Sequence, residues 1–426
     1  MSRRMQRVGM GFLFALCVWA MTSVLLFNPL GLGHEGQFES YEAGEVDILR
    51  ATVGKTVEQG LWVNAGLLER PVEGPYTSNC GLSSWLPALL IRGMPSLSLD
   101  EFMNRYEILT AVATALVLVT FAFWVGREFG AVTAVVLVLL LSASDVFVFL
   151  GRNSARLLHQ CWWPFLFTWV LFRPVLERRC SRWLFWGGLW ALLFLRAASG
   201  YEYYSNVLLA ACVGPIYVGV LQSMPWREMA GWLVRIWLVG VLAFGLALLL
   251  NVIQVSVLEG SLEKGYERVA AKAMARTFGA DSGNSRSVEF QNDARSGLVS
   301  IPAMVDIALR APATTFGFGV QAKPYALQSF SAFFALWIPL WLLALMDGRV
   351  LPVLARHRRQ LLGLCAALTW AMLSSLSWIV LAPGWTEHHF HILSMGLFVV
   401  YMPFLFVVVG RMLTLGLSQV GEWLRG

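Results

Sequence analysis

Residues Trp232 to Gln254 read WLVRIWLVGVLAFGLALLLNVIQ, an apolar run whose one charge is Arg235. A helix of about 20 such residues crosses about 30 Å of hydrocarbon, so this stretch alone puts the chain in a membrane. Nine further runs of this kind flank it, approximately from Val8 to Leu30, Glu107 to Val125, Ala131 to Leu150, His159 to Leu176, Trp183 to Ala197, Tyr204 to Leu221, Gln328 to Met346, Leu361 to Leu381 and Ile392 to Met412. The expected fold is an all-α polytopic membrane protein: about ten transmembrane helices in one multi-span domain over residues 1–426, with no large soluble domain. Composition agrees, since 57% of the 426 residues are hydrophobic and 14% charged, against about a quarter charged in soluble domains. A soluble fold is excluded, and a net charge of +6 in such a chain does not imply nucleic acid. Of the six cysteines, all but Cys80 and Cys180 lie in apolar runs, and no disulfide framework or zinc site follows.

Charge placement orients the spans. MSRRMQR precedes about 20 apolar residues, and FNPLGLGHEG offers no small-x-small cleavage site, so the first run reads as a retained span. With that end in the cytoplasm, Arg178, Arg179, Arg182, Arg349, Arg356, Arg358 and Arg359 fall in cytoplasmic loops, as the positive-inside rule asks. That side then carries 16 of the 32 Lys/Arg but only 5 of the 26 Asp/Glu. Both termini are expected in the cytoplasm, and the compact loops point to a bacterial inner membrane. The elaborate loops, 31–106, 151–158, 198–203, 255–327 and 382–391, all fall outside. No internal repeat or mid-span charge suggests a symmetric carrier.

In the first outer loop, EVDILRATVGKTVEQG places Val46, Leu49, Val53 and Val57 at helical spacing and closes on Gly60, which predicts an amphipathic helix on the membrane surface. Glu35, Glu39, Glu42, Glu45 and Asp47 gather at its start. Helix-terminus electrostatics within a solvated acidic loop accounts for them in one reading. A functional carboxylate is the other.

Glu45-Val46-Asp47, followed by an amphipathic stretch closing on Gly60-Leu61-Trp62, resembles the acidic motif in the first outer loop of the GT-C superfamily of membrane glycosyltransferases. GRNSARLLHQ, after the third span, is similar to the Arg-containing turn of those enzymes. The resemblance implies a GT-C-like arrangement and inverting transfer of a sugar from a polyprenyl-phosphate carrier to a lipid or glycan acceptor on the outer face. It implies Glu45 or Asp47 as general base, with Glu42 nearby in the substrate site, and leaves a divalent cation open as cofactor. Two positions apart on a helix lie about 200° from each other, so joint action requires Glu45 at or before the cap.

The carrier phosphate needs cations. Arg152 and Arg156, four apart, would share a face if the fourth span continued helically through them, and Arg196 ends the fifth span. Snorkelling toward lipid headgroups is their other reading. SGYEYYS sets Glu202 among tyrosines, and WTEHHFH before the last span offers His388, His389 and His391. Hydrogen bonding to phosphate or sugar suits these histidines better than a metal, because Glu387 is their one acidic neighbour and no Cys is close.

The loop 255–327 has two stretches with helical promise, EGSLEKGYERVAAKAMARTF and LVSIPAMVDIALRA, around a Gly/Ser/Asn-rich middle, and reads as a lid over the acceptor site. An O-antigen polymerase or ligase type of enzyme, working through Arg268, Arg276, Arg286 and Arg295 of that loop, is an alternative. A lipid-linked-sugar transporter is another, with Asp145 its one acidic candidate within a span.

Overall fold

A computed structural model of the chain describes residues 3–29, 38–59, 81–201, 203–278, 312–313, 328–329, 336–346, 353, 356–381, 396 and 399–424. Their helices, in chain order, are α1 (Arg3–Phe27), α2 (Phe38–Gln59), α3 (Leu82–Arg92), α4 (Leu99–Phe129), α5 (Ala131–Ser142), α6 (Asp145–Arg152), α7 (Leu158–Leu176), α8 (Arg182–Ser199), α9 (Tyr204–Ala210), α10 (Val213–Leu221), α11 (Trp226–Glu259), α12 (Leu262–Phe278), α13 (Trp337–Leu345), α14 (Arg358–Leu381) and α15 (Tyr401–Trp423). One two-residue antiparallel pair, Pro312–Ala313 with Gln328–Ser329, accompanies them. The expected all-helical membrane class holds.

Six stretches among the described residues are long and apolar enough to cross a membrane: Gly9–Phe27, Leu99–Phe129, Tyr204–Leu221, Trp226–Glu259, Arg358–Ser377 and Tyr401–Trp423. Four other expected spans take different forms. Helices α7 and α8 are 19 and 18 residues long, but α7 contains His159, Gln160, Pro164 and Pro174, and α8 contains Arg182 and Arg196. Helix α13 covers nine residues of the expected run from Gln328 to Met346.

The expected continuous span from Ala131 to Leu150 is broken. Ala143 ends α5 after 12 residues, Ser144 adopts extended backbone, and its hydroxyl accepts the Phe147 N–H at 3.3 Å to start α6. A serine placed to cap is a local signal strong enough to restart a helix within an apolar run. Tyr204–Leu221 is likewise interrupted, between α9 and α10. Pro215 has no N–H to return to the carbonyl four residues back, and the Trp370 indole of α14 donates to the Leu209 carbonyl at 3.0 Å.

The broken α9–α10 segment is the centre of the bundle, with 78% of its length buried, while the first span, with 11% buried, is a rim helix whose apolar face is left for lipid. Around the centre, Trp169 stacks on Tyr217 with ring centroids 5.0 Å apart and meets Trp124 and Phe404 edge-on. A Cβ on Gly214 would lie 2.6 Å from the Trp169 Cα, so α10 approaches α7 this closely only because residue 214 is glycine.

At the N-terminal end of α4 a second, smaller core gathers Leu49, Val53, Ala88, Phe102, Met103 and Tyr106, with Ala155 packed against it. The amphipathic reading of the first outer loop is met, although α2 starts already at Phe38. Leu49, Thr52, Val53 and Thr56 are buried while Asp47 and Glu58 face outward. Arg92 at the end of α3 donates to the Val57 carbonyl of α2 at 2.7 Å, and a reciprocal Ser98–Glu101 capping box opens α4. The helical expectation for the loop after α11 is met over Leu262–Phe278. There Gly260, at φ +69°, reverses the chain so that α12 folds onto α11, and Arg268 pairs with Glu259.

Candidate functional site

The turn from Asn153 to Leu157 joins α6 to α7 and is built from within. The buried Asn153 side chain accepts the backbone N–H groups of Ala155 at 2.9 Å and Arg156 at 3.0 Å, the side-chain mimic of a backbone turn. Leu157 then takes left-handed backbone at φ +52°, unfavourable for a branched residue, and is held there by burial. The consequence is a correction. No helix runs through Arg152 and Arg156, so they do not share a helical face: Arg152 ends α6 and Arg156 sits in the turn.

The two arginines have different surroundings. Arg152 Nη1 lies 3.5 Å from the Leu26 carbonyl, in the last turn of α1, where a cation complements the helix dipole. Arg156 offers its carbonyl to Nη1 of Arg196, also at 3.5 Å. Arg196, in the last turn of α8, is only 4% exposed, and its charge acts on His159 at the start of α7. The turn and the end of α8 thus bring Arg156 and Arg196 together.

Around them lie polar groups that the sequence analysis did not single out. Ser154, His159, Gln160 and Ser199 are all buried, and the Ser154 hydroxyl, His159 Nδ1, Gln160 Oε1 and Ser199 hydroxyl have no hydrogen-bond partner among the described residues. Ser154, His159 and Gln160 lie in the GRNSARLLHQ segment, where the arginines alone point to a site, and Ser199 lies just past the fifth expected span. Nothing local says that a serine in such a turn will be fully enclosed.

The acidic candidates divide. Asp47 is exposed on α2, 3.6 Å from Arg50, which also stands 3.4 Å from Asp100. The backbone is helical from Phe38, so positions 45 and 47 are both well inside α2 and lie about 200° apart around its axis. The condition for their joint action is not met, and one of the two at most can face a given acceptor. The side chains of Glu42 and Glu45, and the residues Glu202, His388, His389 and His391, lie outside the described residues, as does nearly all of the loop from 279 to 327. Among the described residues no three His, Cys, Asp or Glu side chains come together as a metal group.

No known protein family, curated protein or solved structure matches this chain.

Proposed function

We propose that the protein is an inverting GT-C-type glycosyltransferase that moves a sugar from a polyprenyl-phosphate carrier to a lipid or glycan acceptor. Its site is at the outer face of a bacterial inner membrane, on a bundle of about ten spans with both termini in the cytoplasm. The observation that carries this reading is a juxtaposition. Ala155, in the turn of Arg156, packs on the small core that Leu49 and Val53 of α2 help to form, so carboxylate and cation belong to one end of the bundle.

In this reading Asp47 takes the proton of the acceptor hydroxyl as that oxygen attacks the anomeric carbon from the face opposite the phosphate. The bond from that carbon to the phosphate oxygen breaks, and the carrier phosphate leaves with the electron pair. Arg156 and Arg196 stabilise the charge it gains, a task suited to the guanidinium fork. The carrier's prenyl chain stays in lipid beside apolar helices. A divalent cation is compatible with this scheme, and no step depends on one.

The test is donor-dependent transfer by the purified protein. Asp47→Asn keeps the shape and removes the charge, and loss of a general base is expected to cost about 10²- to 10⁴-fold in rate. Full activity of both Asp47→Asn and Glu45→Gln at normal expression would overturn the reading.

A further inference from the structure

Helix α7 begins without a side-chain cap. Its N-cap residue is Leu157, whose side chain cannot bond the first N–H groups of the helix, at the end where the dipole is positive; of these, Gln160 donates to the Leu157 carbonyl at 2.9 Å. A helix start alone is not a site. Here four side chains beside it are more than nine-tenths buried, each with a polar atom that finds no partner among the described residues: Ser154, His159, Gln160 and Ser199. Buried polar atoms in folded proteins nearly always have partners, so several unanswered ones at one place call for a water or a ligand to complete them. The buried guanidinium of Arg196 adjoins them: it is one helical turn before Ser199, its Nη1 is 3.5 Å from the Arg156 carbonyl in the turn of Ser154, and its charge acts on His159.

The types of group define the ligand. Two hydroxyls, a guanidinium and a helix N-terminus are donors and positive potential, which suit an oxyanion. The carbonyl end of the Gln160 amide cannot face an anion, because both are acceptors; it calls for a donor such as a hydroxyl. His159 serves either part according to its tautomer. An anion alone leaves Gln160 unanswered, and a neutral polyol wastes the positive potential. We infer that the start of α7, with Ser154, Gln160, Arg196 and Ser199, binds the head of a sugar 1-phosphate, its phosphate at the hydroxyls and Arg196 and a sugar hydroxyl at Gln160. The choice of a sugar phosphate rests on the glycosyltransferase reading; the need for an anion with a hydroxyl beside it rests on the geometry.

The experiment is calorimetric titration of the full-length protein in detergent with three probes: a hexose 1-phosphate, octyl phosphate and inorganic phosphate. The hexose 1-phosphate is expected to bind saturably and about tenfold or more above the other two. The Ser154→Ala/Ser199→Ala double variant should weaken all phosphate binding about tenfold or more, because each hydroxyl bonds a charged group. Gln160→Leu should remove the preference for the hexose while leaving octyl phosphate unchanged. Melting temperature provides the folding control, since trimming an unpartnered buried hydroxyl should leave the apo protein as stable as before. Unsaturable binding of all three probes, binding of inorganic phosphate as tight as the hexose 1-phosphate, or equal binding by the double variant overturns the inference. So does a lowered melting temperature of the double variant with binding unchanged, which would assign the hydroxyls to enclosed water. Hexose 1-phosphate binding without transfer from any polyprenyl donor would leave the site standing and remove the glycosyltransferase reading. Transfer that is unchanged in the double variant would do the reverse.

Discussion

Two buried arginines, at opposite ends of the molecule, meet their surroundings in contrasting ways. Helix α4 has 31 residues, so at about 1.5 Å per residue its ends stand roughly 45 Å apart. At its C-terminal end Arg411 of α15 is held on every side. Its Nη1 donates to the Phe129 carbonyl at 2.9 Å, Nε and Nη2 donate to Gln360 Oε1 at 2.9 and 2.7 Å, and Nη2 donates to His357 Nδ1 at 3.3 Å. Tyr217 completes the cluster by donating to Glu128 at 3.1 Å. Four helices, α4, α10, α14 and α15, are clasped by groups that answer one another. At the other end, Arg196 adjoins Ser154, His159, Gln160 and Ser199, each buried with a polar atom that has no partner among the described residues. A cation whose hydrogen-bonding neighbours are satisfied organises a fold, whereas one placed among unsatisfied donors and acceptors makes a place for something else.

The largest effect tests the clasp. Arg411→Met keeps the apolar stem but strands Gln360 and the end of α4, and each buried acceptor left without its donor costs about 1–3 kcal/mol. A large fall in melting temperature is expected, with transfer per folded molecule near normal. Loss of transfer at unchanged stability would mean that this end, too, takes part in chemistry.

Which side of the membrane each end occupies sharpens the contrast. A reporter fused after Asn292 should be active only when exported, and one fused near Arg356 only when cytoplasmic; the opposite pattern would put the clasp outside and the candidate site inside.

A smaller effect belongs to pH. Arg411 can only donate, so His357 Nδ1 must accept and the ring must be neutral, with its proton on Nε2. Burial, then the charges of Arg411 and Arg356, hold His357 below its ordinary value of 6.5. The sign follows: the unfolded chain takes up this proton more readily, so stability contributed here is full above about 6.5 and lost as pH falls through that value toward the folded one. The groups facing the ring are Arg411, Gln360 and the neighbouring Arg356, itself paired with Glu422 at 2.7 Å. Thermal melts of the wild type and of His357→Gln between pH 5 and 8 should diverge on the acid side, with the variant losing less. Parallel curves would show that the imidazole does not matter to the clasp.

The sequence made one half of the comparison far more legible than the other. Long apolar runs such as Trp226–Glu259 declare themselves by length, and Leu49 and Val53 by their spacing, because each signal sits within one helix. The breaks before Ser144 and near Pro215 were hidden inside runs that are apolar throughout, where a cap or a proline decides the matter without altering hydropathy. The clasp was invisible: Arg411 and Phe129 are 282 residues apart, and a lone arginine in the last span looks like an interfacial charge. The candidate site was half visible. Its arginines stand out by type, while Ser154, His159, Gln160 and Ser199 are unremarkable until folding buries them.

The smallest effect separates two arginines that look equivalent in the sequence. Arg152 places Nη1 3.5 Å from the Leu26 carbonyl at the end of α1, a contact that asks for a cation and an N–H. Lysine supplies both, and its flexible stem is about as able to reach the surface if lipid headgroups are the real target. Arg152→Lys should therefore leave stability and donor-dependent transfer within about twofold of wild type, since a retained hydrogen bond changes little. Arg156→Lys is the matched control. It leaves the carbonyl that receives Arg196 in place but replaces a planar fork with a point charge, and should weaken use of the lipid-linked donor while protein level and topology hold. Equal loss in both would return Arg152 to the phosphate site beside Arg156. No loss in either would leave Arg196 and its buried neighbours as the whole of the anion site, with the two half-buried arginines serving only helix ends and headgroups.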